Sequence, residues 1–152
     1  MIGVVLSLAM AGAPAGGGDG AFGLWRTPVD GGSVVRIEPC GAAVCGRIVS
    51  SPRLRAYPDQ KDVRNRDQTL QGRALKDLLV LKVTPIGRNR WGDGWVYNPE
   101  EGSTYRGVME LTANGELLLK GCVVAPFCRT QTWTRLADAP VFTQTSGKGR
   151  QP

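Results

Sequence analysis

Arg129-Thr130-Gln131-Thr132-Trp133-Thr134-Arg135-Leu136 alternates without a break: Arg129, Gln131, Trp133 and Arg135 fall on one face of an extended chain, and Thr130, Thr132, Thr134 and Leu136 on the other. A period of two marks a β-strand, whose successive side chains point to opposite sides. Upstream, Asn114-Gly115 precedes residues 116–122, and this dipeptide favours the positive φ angles of a two-residue hairpin turn. Before it, Tyr105, Gly107, Met109 and Leu111 point one way while Thr104, Arg106, Glu110 and Thr112 point the other, the pattern of a strand with one buried and one wet face. Asn98-Pro99-Glu100-Glu101-Gly102 supplies the preceding turn, Pro pre-setting φ and Gly accepting φ > 0.

The rhythm extends toward the N-terminus, where Leu79, Leu81 and Val83 share a face, as do Val35 and Ile37. Counting from Phe22 gives about eight strands, a number at which a barrel interior accommodates side chains or one small ligand. The expected fold is all-β, a small antiparallel barrel, since closure removes the edges a long open sheet would expose. Glycine (21) and proline (10) are abundant in a chain of 152 residues, which suits short strands, tight turns and one domain. Only residues 51–77, rich in Pro, Arg and Asp, break the rhythm, and long irregular loops in compact domains often carry function.

The ends read differently. Residues 2–13 are apolar and small, and Ala9-Met10-Ala11 and Ala13-Pro14-Ala15 both fit a small-x-small cleavage pattern. Residues 1–15 are therefore read as a signal peptide, with a retained anchor as the alternative; the stretch is shorter than the roughly 20 apolar residues of a membrane span. Residues 16–21 are read as a Gly-rich linker, 22–136 as the barrel domain and 137–152 as a disordered tail. Export to the periplasm follows.

The four cysteines form two close pairs, and an even count in a small exported domain favours disulfides. Of three connectivities the local one fits best: residues 34–39 and 46–50 read as strands around the turn 41–44, so that Cys40 faces Cys45, and Cys122 and Cys128 repeat this around residues 123–127. Each bridge closes a short loop and contributes somewhat below the usual ~2–4 kcal/mol. A four-Cys zinc site would use closer spacings and a reducing compartment.

Gly23-Leu24-Trp25, Cys45-Gly46-Arg47-Ile48, Tyr97-Asn98-Pro99, Gly102-Ser103-Thr104-Tyr105-Arg106-Gly107, Gly121-Cys122 and the run from Cys128 to Arg135 together resemble the bacterial exported family called domain of unknown function 2147. The resemblance covers residues 22–136 and implies an envelope location and a compact β-rich domain, without an activity. This chain departs from the family at Ala74 and Asp77, where the family carries Pro and Gly; a function carried by the loop would differ here accordingly. A weaker resemblance is to lipocalins, which open with a Gly-x-Trp strand and set an Arg of the last strand over that Trp. It implies a structural stack of Trp25 with Arg135 or Arg129 that plugs one end of the barrel.

With no histidine in the chain, Ser-His-Asp, Cys-His and His-zinc mechanisms are excluded. Asp59, Asp62, Asn65 and Asp67 offer oxygen ligands for calcium, but their spacing is not that of an EF-hand and Lys61, Arg64 and Arg66 lie among them. They are read as turn-forming, salt-bridged residues, and no metal or cofactor is implied. Glu100, Glu101 and Asp93, near Trp91, Trp95 and Tyr97, are the carboxylates available for glycan hydrolysis, although an exposed turn does not raise a carboxyl pKa. Trp91, Trp95, Tyr97, Tyr105 and Trp133 are the candidate lining of a ligand cavity, with simple core filling as the alternative.

The net charge of +6 creates a field that attracts anionic polymers without specifying one, and no specific nucleic-acid partner is implied. Its densest cluster holds Arg53, Arg55, Arg64, Arg66 and Arg73 with Lys61 and Lys76, interrupted by Asp59, Asp62, Asp67 and Asp77. The expected function is non-enzymatic, a periplasmic binding or envelope-maintenance domain holding a small apolar or amphipathic ligand. The alternatives are a carboxylate-dependent hydrolase of envelope glycan and a basic adaptor docking on anionic envelope polymer or lipid.

Overall fold

The computed structural model describes residues 19–28, 32–124 and 127–138. Eight antiparallel strands close on themselves in chain order: β1 (Gly23–Arg26), β2 (Val34–Cys40), β3 (Ala43–Ser50), β4 (Leu79–Gly87), β5 (Arg90–Asn98), β6 (Ser103–Leu111), β7 (Leu117–Val124) and β8 (Phe127–Asp138). β1 completes the barrel by pairing with both β2 and β8. The all-β barrel read from the alternation is thus the fold, and β8 keeps its expected phase: Trp133 is buried whereas Thr130, Thr132, Thr134 and Leu136 are exposed.

Two boundaries move. Asp19–Ala21, counted above in the linker, form a 3-10 turn, and Ala137 and Asp138, counted in the tail, pair with Leu24 and Gly23. The second follows from β1, which is only four residues long and needs partners along its whole length, and the first from the indole and guanidinium donors that bind the turn's carbonyls. Residues 1–18 and 139–152, holding the signal-peptide reading and most of the tail, lie outside the described residues.

The 3-10 turn plugs one end of the barrel. Trp25, fully buried, donates its indole N–H to the Ala21 carbonyl (2.8 Å). Arg135 lies over the Trp25 ring, 4.2 Å from its centroid, and donates to the Phe22 carbonyl (3.0 Å) and to that of Gly20. Of the two arginines expected to stack here, it is therefore Arg135. Arg129 stands at the other end of β8 and pairs with Glu101. Trp91, Met109 and Leu117 fill the same closed end.

Both disulfides are the local ones. Cys122 and Cys128 lie directly opposite each other, Cα to Cα 4.1 Å. The first pair corrects the expectation of facing residues. The β2–β3 turn is the two residues Gly41 and Ala42, so Cys40 is opposite Ala43 and Cys45 opposite Glu38, and the bridge crosses the hairpin diagonally.

Residues 51–78 pack on the barrel instead of hanging from it. Ser51 caps the short helix α1 (Pro52–Ala56), its hydroxyl accepting from the Leu54 N–H (3.2 Å). Leu54, Leu75 and Leu78 are buried in the common core. Lys61 bridges Ala74, and the Leu75 N–H donates to the Gln60 carbonyl (3.0 Å), folding the segment back on itself.

Candidate functional site

Opposite the Trp25 plug the barrel opens into a cavity of about 770 Å³. Val35, Ile48, Leu75, Val80, Val96 and Leu119 supply its apolar wall, joined by Trp133, while Gln131, Thr27 and Ser33 add polar atoms. Trp133 donates its indole N–H to the Gln131 side chain (3.1 Å), so its polar edge is satisfied. The rim carries the charged Arg53, Glu100, Glu101 and Arg129 beside the Tyr105 phenol.

The rim groups are tied to one another. Glu101 accepts from the Tyr105 hydroxyl and from Arg129 (3.0 Å). The Tyr105 hydrogen bond, helped by Arg129, holds the Glu101 carboxyl below its ordinary range, and the same bond raises the Tyr105 phenol. Glu101 is therefore a carboxylate at neutral pH. Glu100 bridges Arg53 (3.2 Å) and Arg64.

Of the five aromatic residues read as cavity lining, the cavity receives Tyr97, Tyr105 and Trp133 but not Trp91 or Trp95. Trp91 is taken up by the core of the closed end, and Trp95 is turned outward by a bulge in β5, where register breaks between Trp91 and Gly94 and Asp93 takes φ 50°. One extra residue inverts the inside–outside phase. Trp91 faces inward as buried core, whereas after the bulge Val96 faces inward and Trp95 lies level with the exposed Lys82 and Arg106. Asp93 is exposed on the bulge, away from the rim acids with which it was grouped.

Tyr97 lies under the long loop, where the sequence hid a hub. Asp62 is fully buried. One carboxylate oxygen accepts from the Tyr97 hydroxyl (2.6 Å), and the other from Asn65 Nδ2 (2.9 Å) and Arg73 (3.0 Å), whose guanidinium also lies 5.8 Å from the Tyr97 ring. Burial, then the bond to Asp62, pushes the Tyr97 phenol well above its usual range, keeping it a donor. The oxygens of Asp62, Asn65 and Asp67 are thus engaged in hydrogen bonds, Asp67 capping Thr69 (2.9 Å) and the Asn65 side-chain Oδ1 accepting from the Asp67 N–H (2.8 Å), while Asp59 is exposed. Replacing Asp62 by alanine is expected to cost about 2–4 kcal/mol, because hydrogen bonds to a charged group contribute ~1.5–3 kcal/mol and buried donors are left without partners. Urea unfolding measures this; a loss under ~1 kcal/mol would mean that Leu54, Leu75 and Leu78 alone hold the loop.

Ion pairing also divides the basic loop cluster. Arg53 and Arg64 meet Glu100, Arg73 meets Asp62, and Arg55 donates to the Ser50 hydroxyl (3.1 Å) and the Gly32 carbonyl (3.4 Å). Arg66 lines a shallower depression on the outer wall, beside Trp95. Two rim residues went unread in the sequence. Val123 and Phe127, between the paired cysteines, form an apolar lip, 72% and 74% exposed. The signal was present: residues 123–127 hold no polar side chain where a hairpin tip ordinarily has several.

Residues 23–135 match the family described as "Uncharacterized protein conserved in bacteria (DUF2147)". The chain belongs to this family. Comparison with curated proteins finds no match. Among solved structures, this DUF2147 barrel is similar to protein HP1028 from the human pathogen Helicobacter pylori, described as belonging to the lipocalin family. The identity is 22% and the TM-score 0.66, over 76% of this chain and 82% of that one. The likeness establishes a lipocalin-like fold. Asp77 takes φ 60°, a conformation natural to glycine that a short polar side chain also tolerates. Its carboxylate pairs with Arg36 (3.3 Å) and its carbonyl accepts from Arg47 (3.0 Å).

Proposed function

We propose that this DUF2147 protein is a non-enzymatic binding protein of the bacterial periplasm, holding a small amphipathic ligand with its apolar part in the barrel and its polar part at the rim. The observation that carries the reading is the cavity itself. Its volume of about 770 Å³ falls within the ~300–1,000 Å³ of small-molecule sites, with an apolar wall below a charged rim. Two disulfides suit an oxidising compartment, and residues 2–13 suit export.

The rival readings draw less support. Glycan hydrolysis needs one carboxyl with a raised pKa, whereas Glu101 is held low by Tyr105 and Arg129. An electrostatic adaptor built on the long loop needs positive charge free there, whereas Arg53 and Arg64 share Glu100 and Arg73 pairs with Asp62.

Native mass spectrometry of the protein taken from a periplasm under non-reducing conditions tests the reading, with a co-purifying small molecule expected. In parallel, 1-anilinonaphthalene-8-sulfonate should fluoresce on binding the empty barrel. Val96→Trp, which fills the cavity, should weaken this by at least about tenfold while melting remains cooperative. An empty barrel with no dye binding would discard the ligand-binding reading.

A further inference from the structure

The apolar lip at the cavity mouth is the feature that ligand binding alone leaves unexplained. Val123 and Phe127 sit at the end of the β7–β8 hairpin, immediately inside Cys122 and Cys128, and expose most of their surface. A β-hairpin end is ordinarily polar, and here the disulfide fixes the strands that carry the two residues. The hairpin is also flanked by positive charge. Arg106 is the register partner of Cys122, Lys120 pairs with Thr130, and Arg129 pairs with Gly121; all three cations are exposed, Arg129 sharing its charge with Glu101.

We propose that this lip docks on the surface of an anionic lipid bilayer, Val123 and Phe127 entering the interfacial region while Arg106, Lys120 and Arg129 meet lipid phosphates. Apolar area combined with nearby basic side chains is the chemistry of interfacial binding, and the net charge of +6 favours the same partner. A second copy of the chain fits less well: a valine and a phenylalanine per protomer fall far short of the ~1,200 Å² buried in stable protein interfaces. A bilayer demands no complementary surface. Because Val123 and Phe127 also border the cavity, docking turns the barrel mouth toward the membrane. The docking itself holds whether or not the barrel carries a ligand.

The test is co-sedimentation of the disulfide-intact protein with vesicles of phosphatidylethanolamine and phosphatidylglycerol. Wild-type protein should pellet with the vesicles, and the double variant Val123→Ser, Phe127→Ser should bind at least about tenfold more weakly at an unchanged melting temperature. Phe127→Trp provides a second readout, a blue shift of emission on adding vesicles larger than that of the wild type, whose Trp25, Trp91 and Trp133 are buried and whose Trp95 is partly so. Absence of wild-type binding, or binding that the double serine variant retains, would overturn the proposal. So would a blue shift that follows protein concentration without lipid, which would assign the lip to self-association. Dye binding in the barrel is a separate measurement, so failure of docking and failure of the ligand reading remain distinguishable.

Discussion

Replacing Trp25 by alanine is expected to lower stability by about 3–5 kcal/mol, a large share of the ~5–15 kcal/mol that holds a typical domain folded. The ring is fully buried among the residues of the closed end, so truncation both removes apolar contact and leaves a cavity. It also removes the donor to the Ala21 carbonyl and the surface on which Arg135 stacks at 4.2 Å, a contact contributing ~0.5–2 kcal/mol. The Asp19–Ala21 turn then loses its bond to the indole while Arg135 still donates to the Gly20 carbonyl, and the plug loosens. Denaturant unfolding followed by circular dichroism gives the number. Trp25→Phe should retain most of the packing while losing the indole hydrogen bond. A loss below ~1 kcal/mol for the alanine variant would mean that the closed end collapses into the gap at little cost.

Gly102→Val is expected to cost about 2–5 kcal/mol. Gly102 takes φ 69°, and a β-carbon there would lie 1.7 Å from the Arg64 carbonyl oxygen and 2.6 Å from its carbon. Left-handed backbone costs an L-residue ~1–2 kcal/mol, and displacing packed atoms a further ~1–3 kcal/mol. Here the obstruction is backbone, so the long loop must move off the β5–β6 turn. The Arg66 N–H bond to the Gly102 carbonyl (3.2 Å) and the Arg64–Glu100 pair move with it, and strain reaches the Asp62 hub through Asn65. The variant should melt at lower temperature and show faster amide exchange at Asn65 and Arg66 than the wild type. Unchanged exchange at these two amides would show that the loop does not rest on this turn.

The two substitutions probe features of unequal visibility in the chain. The lipocalin resemblance of the Gly23-Leu24-Trp25 opening already implied a tryptophan at the barrel end with an arginine above it, yet left Arg129 and Arg135 as equal candidates. Gly102 was read as a turn glycine, but its contact with Arg64 depends on a segment nearly forty residues earlier in the chain. The rim acids follow the same rule. Glu100 and Glu101 were recognised as a turn pair, whereas their partners Arg53, Arg64 and Arg129 come from other elements.

By itself the sequence determined the alternating strands, their turns and the preference for local disulfides, because each is written in neighbouring residues: alternation of period two, turn dipeptides and short cysteine spacings; closure was expected from the strand count and is made by the distant pairing of β1 with β8. Tertiary structure alone decided that Trp91 serves as core and Trp95 leaves the cavity, that Asp62 is buried under Tyr97, that Arg135 and not Arg129 covers Trp25, and that Glu100 and Asp62 pair with Arg53, Arg64 and Arg73 of the basic loop. The reason is physical. A bulge adds one residue without altering composition, yet it inverts every side chain beyond it. Whether a carboxylate is a solvated loop residue or a buried hub depends on which distant donors the closed barrel brings within 3 Å of it.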